Sequence, residues 1–162
     1  MRYHMAMYKL SIIAVGSLKE AFWKDAISEY QKRLAPYAKI SVVEVAETPY
    51  KSASEAITVM RAEAENIKKR LPSGAFTIAL VKEGKALTSE GFAELLKREG
   101  EGGHEITFLI GGPLGLDDVL AKSCHARLSL SSLTFTHGQA RANLFEQIYR
   151  AMTILSGKSY HL

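Results

Sequence analysis

Cysteine is nearly absent from this 162-residue chain, where Cys124 stands alone. A lone cysteine excludes an internal disulfide, and no Cys/His group has the spacing of a zinc site. That usage fits a reducing cytoplasm. Also missing is any run of about 18 apolar residues, so no helix of membrane-spanning type is expected. The N-terminus does not read as a signal peptide, because Lys9 and Ser11 interrupt its apolar run and no small-x-small cleavage site follows. Residues 1–6 read as an extension ahead of the first strand. Acids are scarce at the other end. Residues 119–162 hold five cations (Lys122, Arg127, Arg141, Arg150, Lys158) against the single acid Glu146, whereas residues 1–118 hold 16 of each sign. The whole formal excess of +4 therefore lies in the last quarter of the chain. Such a face attracts phosphate-rich partners.

What is present is an ordinary globular balance in one domain's length. Residues 8–15 (YKLSIIAV) are apolar and β-branched and read as a buried strand. Trp23, Ile27, Tyr30 and Leu34 form a stripe at helical spacing, which Pro36 ends. Residues 39–46 read as a second strand, and Pro49 marks a loop. Ser52 and Glu55 have capping-box spacing ahead of a helix carrying Ile57, Met60, Ala64, Ile67 and Leu71. A third strand is expected over 76–81, with Glu83-Gly84 as a turn. A helix with Phe92, Leu95 and Leu96 follows, capped at Thr88-Ser89. A fourth strand, 106–110, runs into Gly111-Gly112-Pro113-Leu114-Gly115. A short helix from Asp117, a strand over 127–130, a loop over 131–138, a helix over 139–155 and a tail complete the chain. Alternating strands and helices imply an α/β fold, a parallel sheet flanked by helices. Ligands of such sheets bind beyond the carboxyl ends of the strands, here after Val81, Ile110 and Leu130.

The glycine cluster after the fourth strand lets a ligand approach the backbone closely. Its G-G-x-x-G spacing is neither a dinucleotide fingerprint nor a P-loop. Asp117 and Asp118, at the next helix start, complement that helix dipole and disfavour a polyphosphate. Leu130-Ser131-Ser132-Leu133-Thr134-Phe135 mixes hydroxyls with apolar groups, which suits an adenine ring as well as a loop packed under the last helix. His137 can move a proton near neutral pH. Arg141 suits a phosphate or carboxylate partner, with a surface pair to Glu146 as the plain alternative. The tail gathers Lys158, Ser159, Tyr160 and His161: a ring that can stack on a base, and an imidazole that can take or hold a proton.

Several of these pieces, in this order, resemble the RlmH proteins, a branch of the SPOUT methyltransferases. They are Leu10-Ser11-Ile12-Ile13-Ala14-Val15-Gly16, Glu29-Tyr30-x-Lys32-Arg33-Leu34, Ser89-Glu90-Gly91 and Ile110-Gly111-Gly112-x-x-Gly115-Leu116. Leu130-Ser131-x-x-Thr134-Phe135-x-His137, Arg141, Glu146-Gln147-x-Tyr149-Arg150-Ala151 and Tyr160-His161 continue the series. The resemblance covers nearly the whole chain after Ala6. It implies a single domain with a C-terminal trefoil knot, acting as a homodimer in the cytoplasm. It also implies S-adenosylmethionine bound by Leu80, Gly111, Leu130, Ser131, Ser132, Leu133, Thr134 and Phe135, with no metal. The implied reaction methylates N3 of a pseudouridine in a hairpin loop of 23S ribosomal RNA on the assembled ribosome. His137, Arg141, Tyr160 and His161 are its implied substrate-side residues. This sequence differs from frequent family choices at Val81, Thr136 and Leu162, which replace an acid, a proline and a base. Two other readings compete: a ribosome- or RNA-binding module without catalysis, and a nucleotide-dependent enzyme of flavodoxin or Rossmann type, which the glycine spacing and Asp117-Asp118 oppose.

Overall fold

A computed structural model describes residues 7–161, with the side chain of His161 excepted; the extension read over residues 1–6 and the terminal Leu162 lie outside the described residues. Five strands, β1 (Tyr8–Val15), β2 (Ala38–Val45), β3 (Phe76–Ala86), β4 (Ile106–Ile110) and β5 (Ala126–Ser129), form one sheet in the order β2-β1-β4-β3-β5. Every pairing is parallel. Helices α1 (Ala21–Leu34), α2 (Ala56–Lys68), α3 (Ser89–Glu101), α4 (Asp118–Ser123) and α5 (His137–Leu155) cover both faces. The expected parallel α/β sheet is therefore the architecture observed.

The alternation along β1 divides the core. Leu10, Ile12 and Ala14 face α1, α3 and α5, where they join Ile106, Phe108, Leu96, Phe145, Ile148 and Met152. Ile13 and Val15 face the opposite side and pack with Leu109, Ala64, Ile67 and Leu120. Ser11, pointing to that second side, bonds its hydroxyl to Thr107 at 2.7 Å, so two polar groups buried mid-sheet satisfy one another.

Four readings need correction. The Glu83-Gly84 turn is absent, because β3 continues to Ala86 through an irregularity in which both Leu80 and Lys85 pair with Leu128. Gly84 sits there against the β5 backbone, where a Cβ would stand 2.6 Å from the carbonyl carbon of Leu128. A glycine inside a strand marked close backbone approach, not a turn. On α2, Ile57 is exposed, and Val59 and Glu63 are buried in the face expected to hold it. Helix α5 begins at His137, two residues before the expected start, since the Thr136 hydroxyl caps it by accepting from the N–H of Gln139. Finally, Ser159–His161 form a turn of 3-10 helix in place of a trailing end.

Candidate active site

The middle of β3, where it leaves β4, and the carboxyl ends of β4 and β5 open into one cavity of about 780 Å³. Its walls are the segments 80–83, 110–116, 130–131 and 133–137, with Ala140 of α5. Leu80, Gly111, Leu130, Ser131, Leu133, Thr134 and Phe135 all line it, and His137 joins them. Ser132 is not among the lining residues. Its neighbour Ser131 turns the loop there, its hydroxyl accepting from the N–H of Leu133 at 2.9 Å.

Gly111 fixes one wall by having no side chain. A Cβ there would lie 2.5 Å from both the Gly115 carbonyl carbon and the Leu116 nitrogen. The turn behind it is closed by the N–H of Gly115, which donates to the Gly112 carbonyl at 2.9 Å. Asp117 and Asp118 do not line the cavity. Asp117 caps α4 by accepting from the N–H of Leu120 at 2.9 Å, and Asp118 pairs with Lys122 at 2.6 Å. Their role is to start and steady α4, just past the lining residue Leu116.

Glu63 backs the same loop from the α2 side. It is 3% exposed, and its carboxylate accepts from the N–H of Thr48 at 3.0 Å. A Cβ on Gly112 would stand 3.2 Å from its Oε2. Burial pushes this carboxyl above its ordinary value; the Thr48 N–H opposes that shift, and the charge of Glu47 adds to it. A raised acid favours its protonated form in the folded state. Its contribution to stability is thus present below the ordinary carboxylate pKa and lost as pH rises through the raised value. Glu63→Gln is accordingly expected to raise Tm at pH 7 by roughly 2 °C and to give no gain at pH 4. Thermal melts across that range check this, and an equal gain at both ends would contradict it.

His137 and Arg141 stand one turn apart on the same face of α5. The Arg141 side chain is 3% exposed. Its Nη1 donates to Glu44 at 2.9 Å, and its Nη2 to the Gly16 carbonyl at 3.3 Å. Glu146 instead pairs with Arg150, at 2.7 Å. Of the partners expected for Arg141, the structure supplies a carboxylate, that of Glu44 and not of Glu146, and the half-buried bond ties α5 to the ends of β1 and β2. Arg141→Met should lower stability by about 1–2 kcal/mol, because it strands the buried Gly16 carbonyl while the half-exposed Glu44 returns to solvent. Denaturant titration measures it; an unchanged midpoint would show the bond to be dispensable. Among the described residues, two buried side-chain nitrogens have no hydrogen-bond partner: Nδ1 of His137 and Nε of Arg141.

Tyr160 of the tail sits elsewhere. Tyr160 packs edge-on against Tyr149 at 4.7 Å, and its hydroxyl donates to Glu146 at 3.2 Å. The Arg150 guanidinium lies 5.0 Å from its ring. Burial, then the neighbouring Tyr30 hydroxyl and the Glu146 charge, hold the Tyr160 phenol far above its ordinary pKa, so it stays a proton donor. Glu146 is nine residues beyond His137, about 14 Å along the helix. Tyr160 does not line the cavity of its own chain. Elsewhere among the described residues, no group of three or more His, Cys, Asp or Glu is placed to hold a metal. No helix there is long and apolar enough to cross a membrane.

The model of a family described as "Predicted SPOUT methyltransferase" matches residues 8–161. A protein named ribosomal RNA large subunit methyltransferase H, from Caldicellulosiruptor saccharolyticus, is 40% identical over 152 residues, covering 94% of this chain and 99% of that one. This chain belongs to the RlmH family of SPOUT methyltransferases. A namesake from Streptococcus equi subsp. zooepidemicus is 43% identical over 157 residues, with the same coverage of both chains. The crystal structure of a probable methyltransferase from Bordetella pertussis Tohama I aligns with a TM-score of 0.59 over 90% of this chain and 95% of that one. At 12% identity it supports the RlmH-family chain's fold alone.

The residues present fit the cofactor that the family uses. The cavity volume lies within the usual range for ligands of this size. Gly111 leaves backbone where a side chain would intrude, and Leu80, Leu130 and Phe135 offer apolar surface beside the hydroxyls of Ser131 and Thr134. Sequence reasoning missed Arg141's burial and Glu63 altogether. A glutamate on the buried side of a helix carries no sequence signal until the sheet's end brings Thr48 to it.

Proposed function

We propose that this chain transfers a methyl group from S-adenosylmethionine to N3 of a pseudouridine in a hairpin loop of 23S ribosomal RNA, on the assembled ribosome. The observation that carries the reading is the convergence of three loops on one cavity in a chain of the RlmH family. S-adenosylmethionine, when bound, supplies a methyl group on a positively charged sulfur. Leu80, Gly111, Leu130, Ser131, Leu133, Thr134 and Phe135 would hold it, with Ser132 shaping the loop from outside the lining. These walls would fix alignment, from which an in-line displacement gains much of its rate.

The substrate side needs a group to take the N3 proton, because the neutral imide is a poor nucleophile. His137 meets this need from the cavity wall, and His161 from the tail. Tyr160, held as a donor, contributes a hydrogen bond or a stacking surface and not a base. Arg141 acts indirectly by fixing the turn of α5 that carries His137.

The active unit in this reading is a homodimer. Tyr160 is tied to the far part of α5 and stays outside its own chain's cavity, so the tail acts on the cavity of a second copy. A C-terminal trefoil knot through the loops 80–85, 111–116 and 130–136 belongs to the same reading, as does a cytoplasmic location beside ribosomes. The cationic last quarter grips the RNA backbone, so binding weakens as salt rises. Mass spectrometry of ribosomal RNA from cells with and without the gene tests the reaction, and calorimetry with S-adenosylmethionine tests the cavity. An unaltered methylation pattern, with no heat of binding, would overturn the reading and favour a module that binds ribosomes without catalysis.

A further inference from the structure

The geometry points to Lys82 and Glu83 as the residues that receive the amino-acid end of the cofactor, Lys82 its carboxylate and Glu83 its ammonium. This rests on the cofactor reading above and adds to it the residues that recognise the zwitterion. Three ionisable side chains line the cavity: Lys82, Glu83 and His137. The remaining lining is backbone, hydroxyl and apolar surface, suited to an uncharged nucleoside. A ligand that joins a nucleoside to a zwitterion has one carboxylate and one ammonium to place. The cavity lining offers one cation and one anion, on consecutive exposed residues.

The backbone explains why they are there. Between Leu80 and Lys85, β3 leaves its regular pairing with β5, and both of those residues pair with Leu128. Residues 81–83 therefore lie outside that regular pairing, and Gly84 brings the chain back against Leu128. Lys82 reaches from this stretch to the facing loop, where its Nζ donates to the Thr134 hydroxyl at 3.0 Å. That places an ammonium between two walls of the cavity. A neutral hydroxyl is a weak partner for it, and a ligand carboxylate forms a stronger, charge-assisted bond.

The test is calorimetry on the full chain with two nucleosides. S-adenosylhomocysteine carries the amino acid, and 5′-methylthioadenosine has the same nucleoside thioether without it. The wild type should bind the former more tightly. Lys82→Met should weaken S-adenosylhomocysteine about tenfold and leave 5′-methylthioadenosine unchanged, and Glu83→Gln should do the same about threefold. Unchanged 5′-methylthioadenosine binding doubles as proof that the variant cavity is folded. Equal losses for both nucleosides, or no loss for either, would overturn the assignment and leave the cofactor reading intact. So would a Lys82→Met variant that loses RNA affinity alone, which would make the lysine a phosphate contact. A wild type that binds neither nucleoside would overturn both.

Discussion

Removal of residues 160–162 is expected to abolish methyl transfer, with kcat falling by about 10³-fold or more, while the fold and the affinity for S-adenosylmethionine survive. The expectation rests on where the tail is attached. Tyr160 meets Tyr149, Glu146 and Arg150 on the outer part of α5, and none of these is a lining residue of the cavity. The fully buried core side chains, among them Phe108, Phe145, Leu10 and Ile12, lie elsewhere. Losing one partly buried ring should move Tm by only a few degrees, on the order of 1 kcal/mol. What disappears is the only aromatic and imidazole pair in the last turn. Single-turnover methyl transfer, with calorimetry alongside, separates chemistry from binding; full activity in the truncated chain would remove the tail from the mechanism.

The second large effect is expected at Gly111. Valine there should cut affinity for S-adenosylmethionine by about 100-fold or more, since the strain of overpacking reaches about 3 kcal/mol. The Cβ has no space, because the atoms 2.5 Å away belong to the Gly115 and Leu116 backbone and cannot rotate aside. The loop must shift as a whole, breaking the Gly115-to-Gly112 hydrogen bond that closes it. The strand before it, Ile106–Ile110, is paired on both sides and should hold. An unchanged dissociation constant would show that this wall does not touch the cofactor.

The two variants together also test the dimer. Mixed and reannealed, tail-less and Gly111→Val chains should, if the proposed dimer forms, give hybrids that pair an intact cavity with an intact tail from the other copy. If tails act across the interface, the mixture should recover about a quarter of wild-type activity, because half the dimers are hybrid and each has one complete site. A tail acting within its own chain gives none.

Much of the fold was legible because it depends on local patterns. The short apolar, β-branched runs at β1 and β4 read as strands, and the stripe of Trp23, Ile27, Tyr30 and Leu34 has helical spacing. Parallel pairing then followed from the alternation of elements. Legible too were the segments that end at the cavity, since glycines and hydroxyls after a strand mark open backbone. The errors came from features that look alike until neighbours are known. Gly84 carries the same local signal whether it turns the chain or presses on another strand. Arg141 looks like a surface cation, and becomes a buried tie only because Glu44 and the Gly16 carbonyl are brought to it from strands far away in sequence.

By itself, then, the order of residues determined which segments became strands and helices, that the sheet would be parallel, and which chemical groups would stand past its edge. Periodicity and turn chemistry are properties of neighbours along the chain. Only the tertiary structure decided that Tyr160 lies off its own chain's cavity, that Lys82 bridges two loops, and that Arg141 is enclosed. Those facts depend on distances between residues that the covalent chain leaves free, and packing of the sheet against α5 is what sets them.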